Sequence, residues 1–190
     1  MITFSEIKDI LQRYKIKYTW YEITKDWSQT HRFYHTLEHL MDLLDQIERQ
    51  YPIPSKERDK LIITALFHDI IYNPARDDNE RKSAKFFLNH CEDVNDDIED
   101  IYDMILATKT HESNDELSKI FNDMDMDIVT RDFDSLLIWE EEIREEFNIY
   151  TDEEYKTGRI SFLNSVLKKY PQNKENLLTL MDWINRNYGN

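Results

Sequence analysis

Three histidines, His31, His35 and His39, recur every four residues in HRFYHTLEHL, and His68 stands directly before Asp69 in the apolar stretch LIITALFHDIIY, Leu61 to Tyr72. A four-residue step turns a helix by about 40° from full register, so the three imidazoles are expected on one helical face. His68 and Asp69 fall about 100° apart, close enough to flank one ion. The stretch that carries them is apolar on every side, which predicts a buried helix. An isolated carboxylate there would cost several kcal/mol unless positive charge lay against it. Neutral imidazoles with a carboxylate are ligands that a borderline or hard divalent cation accepts, and such a set leaves coordination positions open, as catalytic sites do. Any one histidine alone is more often a hydrogen-bonded core or surface imidazole; the conjunction carries the argument.

Downstream, three aspartates, Asp123, Asp125 and Asp127, alternate through the stripe Leu117, Ile120, Phe121, Met124 and Ile128. On a helix Asp125 and Asp127 lie about 80° to either side of that stripe, and Asp123 falls further round. Periodicity sets Asp123 aside and leaves the other two open. Other templates fail: there is no His-Glu-x-x-His, no pair of Glu-x-x-His motifs, and no Gly-rich phosphate loop, the only glycines being Gly158 and Gly189. Neither Cys91 nor any serine stands in a nucleophile motif.

The elements that must position these residues are helical. With 2 Gly and 4 Pro in 190 residues, the chain lacks the turn residues of strand-rich folds, and its length fits one all-α domain. Thr3 with Glu6 reads as a capping box for a first helix, and Tyr18 to Trp27 continues helically. The histidine-bearing helix should stop at Pro52 and Pro54, with Ser55 as N-cap of the next, which Asn73-Pro74 ends. Helices follow through Ala84–Cys91, Ile98–Thr108, the aspartate stripe, Phe133–Tyr150 with EEEIREE as a solvated face, a Thr151/Glu154 capping box leading to Tyr170, and Lys174–Tyr188.

A net charge of −15 argues against a nucleic-acid polymer or an anionic membrane as partner. No run reaches the ~20 apolar residues of a membrane span, and MITFSEIKDILQRYK lacks a signal-peptide core. The single Cys91 fits a reducing compartment, so a cytoplasmic protein is expected.

Seven ordered blocks complete the reading: R32-F-Y-H35-T-L-E-H39, F67-H68-D69-I-I-Y72-N-P, D78-N-E80-R-K-S-A84, A107-T-K-T-H111, F121-N-D-M-D125, I143-R144-E-E-F147 and G158-R159. Together they make the chain resemble the HD superfamily of metal-dependent phosphohydrolases, in a small all-helical branch. The resemblance implies one HD-type helical domain over residues 1–190, with a metal-site core about 31–130 and C-terminal helices 132–188 packed on it. It implies one divalent cation (Mn, Co, Ni, Zn, Fe or Mg) held by His39, His68, Asp69 and Asp125. His35 is a further ligand or a hydrogen-bond partner of one. Hydrolysis of a small phosphorylated molecule would then use Asp69, His111 as general acid and Glu80 as proton relay. Arg32, His35, Lys109, Arg144 and Arg159 are the substrate-binding candidates. The alternative is a metal-holding, non-catalytic module whose acidic face, Glu140 to Glu146, serves a protein partner. Departures from the family pattern are Asn122, where an apolar residue is usual, with Asp127, Thr130 and Phe147.

Overall fold

The computed structural model describes residues 2–49 and 53–189. Among them are ten α-helices, two short 3-10 helices and no strand, so the fold is all-α as composition requires. The chain divides into two compact units, Met1–Asp125 and Met126–Asn190.

The first unit contains α1 (Phe4–Arg13), α2 (Trp20–Trp27), α3 (Leu37–Arg49), α4 (Ser55–Phe67), α5 (Asn79–Asn89), α6 (Asp96–Ala107) and α7 (Glu116–Asp125). Helix α4 packs against α1, α3, α5, α6 and α7. That placement explains its sequence, because a helix with neighbours on every side must be apolar on every side. Leu61, Ile62, Ile63, Leu66 and Phe67 are completely buried, and each such side chain contributes about 1.5–3 kcal/mol of transfer free energy. The charges buried at its N-terminal half are matched, Asp59 by Arg13 and Lys60 by Asp97 at 2.8 Å. A Thr19/Glu22 capping box opens α2, and Thr3 accepts from the Glu6 amide to open α1.

Three expected boundaries differ, each for a local reason. Ser55 is the first residue of α4 and Pro54 takes the N-cap position, where its fixed φ is compatible and its missing N–H costs nothing. Pro52 lies outside the described residues. Helix α4 stops at Phe67, well before Asn73-Pro74, because side chains from elsewhere take over the backbone beyond it. Arg32 donates to the carbonyls of Asp69 and Ile70, and the Ser83 hydroxyl donates to the Ile71 carbonyl and accepts from its N–H. Helix α3 begins only at Leu37, with the Thr36 hydroxyl accepting from the Glu38 amide. His31 and His35 therefore sit in an irregular segment, and the shared helical face expected of the three histidines does not form.

The second unit consists of a 3-10 helix (Asp127–Thr130), α8 (Phe133–Glu146), α9 (Asp152–Lys169), a second 3-10 helix (Pro171–Asn173) and α10 (Lys174–Asn187). Helix α10 packs on α8 and α9, burying Leu177, Leu180 and Ile184. The Thr151/Glu154 capping box opens α9 as expected. The outer face of α8 is not uniformly solvated: Glu140 and Glu146 are buried, Glu140 completely. The correction has a partner behind it, since Arg159 on α9 donates its Nε to Glu140 at 2.6 Å and the Tyr155 hydroxyl donates at 2.8 Å. No helix among the described residues is long and apolar enough to cross a membrane.

Candidate metal centre

Three helices of the first unit deliver side chains to one point. His39 comes from the first turn of α3, His68 is the C-cap of α4, and Asp125 is the last residue of α7. One ligating atom from each lies within 4.8 Å of the others. His39 Nε2 and Asp125 Oδ1 are 3.1 Å apart, and His68 Nε2 is 3.5 Å from both Asp125 Oδ1 and Asp69 Oδ2. Ligands about 2.1 Å from a common ion are separated by about 3.0 Å in octahedral and about 3.4 Å in tetrahedral geometry. The observed spacings match that range.

The chemistry of His68 tests the fit more sharply. Its Nδ1 is 3.1 Å from the Ala65 carbonyl, so Nδ1 carries the proton there and Nε2 presents its lone pair. This is how ligating imidazoles are oriented. His68 Nε2 is buried, has no hydrogen-bond partner, and faces two carboxylate oxygens. Electron-rich groups gathered in a buried place need positive charge or hydrogen-bond donors among them. In the ion-free protein a proton fills the need: burial disfavours the imidazolium, but Asp69 and Asp125 outweigh it and push the His68 pKa up to about 9. Burial likewise works against charge on Asp125, yet His68 and the hydrogen bonds from His111 and His39 hold its carboxyl well below the usual range. His39, His68 and Asp125 could therefore hold a divalent ion; Asp69 is not one of that group, and its Oδ2 lies 3.5 Å from His68 Nε2.

Apolar walls hold the imidazoles still. Trp27, completely buried, lies 5.4 Å from the His68 ring and 6.2 Å from the His39 ring, and its Nε1 donates to the Leu66 carbonyl. Phe121 meets the opposite side of His68 edge-on at 5.4 Å. Beside the cluster a cavity of about 100 Å³ is lined by His35, Asp69, Tyr72, Asn79, Glu80, Thr108, His111 and Asp125.

Of the candidates named from sequence, His35, Asp69, Glu80, His111 and Asp125 line this cavity. His35 stacks on Tyr72 at 4.4 Å with its Nε2 3.7 Å from Asp69 Oδ2. His111 Nε2 donates to Asp125 Oδ2 at 3.1 Å from a backbone with φ of +52°, a left-handed conformation that costs a non-glycine residue about 1–3 kcal/mol. Lys109 is half exposed, donates to the Asp77 carbonyl and lies 3.6 Å from Glu80 Oε2. Arg32 is buried and does not line the cavity; its guanidinium donates to the carbonyls of His35, Asp69 and Ile70. Arg144 and Arg159 belong to the second unit. Arg144 donates to the Phe147 and Tyr150 carbonyls and to Asp152, while Arg159 pairs with Glu140. Asp123 is exposed, and Asp127 pairs with Arg131 at 2.9 Å. His31 Nε2 lies 3.0 Å from the Tyr72 carbonyl, and His90 Nδ1 lies 2.8 Å from that of Phe86.

Tyr72, Asn79 and Thr108 were not singled out by sequence. Tyr72 closes the LIITALFHDIIY stretch, but nothing local says that it folds back over His35. Asn79 exchanges two hydrogen bonds with the Asn73 backbone, at 3.1 and 2.9 Å, which shapes the loop between α4 and α5. Comparison with protein-family models, curated proteins and solved structures found no match.

Proposed function

We propose that the chain is a metal-dependent phosphohydrolase that cleaves a phosphate ester in a small molecule. The observation that supports this reading best is His68 Nε2, buried without a hydrogen bond and aimed between the Asp69 and Asp125 carboxylates. His39, His68, Asp69 and Asp125 would hold one divalent cation, of which Mn, Co, Ni, Zn, Fe and Mg are candidates. Such an ion polarises a phosphoryl oxygen and lowers the pKa of a water beside it. The cavity next to the cluster has room for a phosphoryl group. His111, held against Asp125, stands where it can donate a proton to a leaving oxygen. Glu80 shares the cavity and has Lys109 beside it, which gives a carboxylate for proton relay and an ammonium for a substrate's remaining charge. The phosphohydrolase class itself comes from the resemblance to the HD superfamily.

A cytoplasmic setting fits the lone Cys91, whose thiol burial pushes up to about 11 and so keeps inert. The test is metal content and turnover measured together. Wild-type protein and His90→Ala should retain a divalent ion by elemental analysis, and His68→Ala and Asp69→Ala should lose it. Hydrolysis of members of a phosphomonoester and nucleotide panel, with Mn, Co, Ni or Mg added, should disappear in Asp69→Ala. Equal occupancy in all four proteins would remove the site assignment, and bound metal without turnover across the panel would remove the enzymatic one.

A further inference from the structure

We propose that Arg32 is a positioning residue that sets the geometry of the metal cluster through the backbone. The inference rests on the metal reading of that cluster.

Two irregular segments meet beside the cluster, residues 28–36 ahead of α3 and residues 68–78 after α4. The first carries His35, and the second begins with His68 and Asp69. The N–H of His68 still closes the last turn of α4 on Thr64, whereas Asp69 and His35 lie outside any helix. Arg32 ties the two segments together at Asp69 and His35, and His31 ties them further along at Tyr72. Arg32 Nη1 donates to the His35 carbonyl at 3.0 Å, and its Nη2 donates to the Asp69 and Ile70 carbonyls at 2.9 and 3.2 Å. The carbonyls of Asp69 and Ile70 lie just beyond the negative end of α4 and have no helical donors, so a buried guanidinium is well suited to them.

The plane of that guanidinium is itself fixed. Its central carbon lies 5.3 Å from the Trp27 ring and 5.3 Å from the Tyr72 ring, and the residue is 5% exposed. Trp27 also walls the His39 and His68 rings, and Tyr72 stacks on His35. Arg32 thus connects the backbone of Asp69 and His35 to the same aromatic groups that hold the imidazoles. Its planar fork serves three acceptors in fixed directions, which a lysine ammonium on a flexible stem cannot reproduce.

The role is read by titrating the metal-free protein with Co(II) and recording affinity together with the visible absorption of the bound ion. Arg32→Met should bind Co(II) about 10–100-fold more weakly, the range for loss of an outer partner of a ligand, and its spectrum should shift because Asp69 no longer holds its place. Arg32→Lys, which keeps the charge, should not restore either property. Ile10→Ala, a truncation in the buried face of α1, should lower thermal stability while leaving the Co(II) spectrum unchanged. If Arg32→Met does not fold, Tyr72→Leu decides, since removing one face of the sandwich should weaken Co(II) binding and shift the spectrum in the same direction. Wild-type affinity and spectrum in Arg32→Met, or in Tyr72→Leu where that variant decides, would overturn the proposal. So would full recovery in Arg32→Lys. Wild-type protein that binds no Co(II) would defeat the metal reading and the inference with it, an outcome distinct from a metal site that ignores Arg32.

Discussion

Glu140 in the second unit and His68 in the first are both buried almost completely, but their surroundings differ in kind. Each Glu140 oxygen has a donor, Tyr155 at 2.8 Å and Arg159 at 2.6 Å, and Arg159 is covered in turn by Trp139 at 4.0 Å. His68 Nε2 has no well-formed hydrogen bond, and carboxylate oxygens of Asp69 and Asp125 lie 3.5 Å from it. The first arrangement brings its own countercharge. The second brings ligands of one electronic character to a point and leaves the cation to come from outside. Buried charge is therefore informative about function when the protein does not itself complete it.

Breaking the closed cluster should have the largest effect. Glu140→Leu leaves Arg159 buried without its carboxylate, and removal of one partner of a buried pair typically costs about 3–5 kcal/mol. Denaturant unfolding of this variant should show a loss of that size, and Glu140→Leu with Arg159→Met should recover most of it, because the uncompensated charge is gone. Metal content of the folded single variant should equal that of wild type. A double variant no more stable than the single one would mean that the cluster contributes packing which apolar side chains cannot replace.

The open cluster should respond to ligand instead. A divalent ion such as Co(II) at about 100 times its dissociation constant should stabilise the protein by about 2.7 kcal/mol, and a chelator should reverse the gain. The gain should be absent in His68→Ala and present in His90→Ala. Thermal denaturation with and without ion measures this directly, and an equal gain in His68→Ala would put the ion elsewhere.

The same contrast explains what could be read from the chain. The apolar circumference of α4 was legible because burial on all sides leaves a local imprint in LIITALF. Thr151 and Glu154 were legible because a capping box is a three-residue rule. His31, His35 and His39 misled, since four-residue spacing implies a common face only where the backbone is helical, and Thr36 starts that helix too late for the first two. The burial of Glu140 was hidden within a run of acidic residues, because its partner Arg159 sits on another helix. The backbone acceptors of Arg32 were hidden for the same reason, since Asp69 and Ile70 are far along the chain.

Asn122 sharpens the criterion at the small end of the scale. It lies on α7 three residues before Asp125, is 1% exposed, and neither amide atom has a hydrogen-bond partner. If an unsatisfied buried polar group alone marked a site, Asn122 would qualify as well as His68. It differs in that no ligating side chains converge on it in the cluster of His39, His68 and Asp125. An unpaired buried amide costs about 1–3 kcal/mol, and overpacking by a larger side chain returns about 1 kcal/mol of that. Asn122→Leu, which places there the apolar residue that the HD resemblance implies, should therefore raise stability by about 1 kcal/mol and leave Co(II) affinity unchanged. Reduced affinity in Asn122→Leu would instead make the amide part of the metal centre's support, and convergence of ligands would no longer be what separates a site from a packing defect.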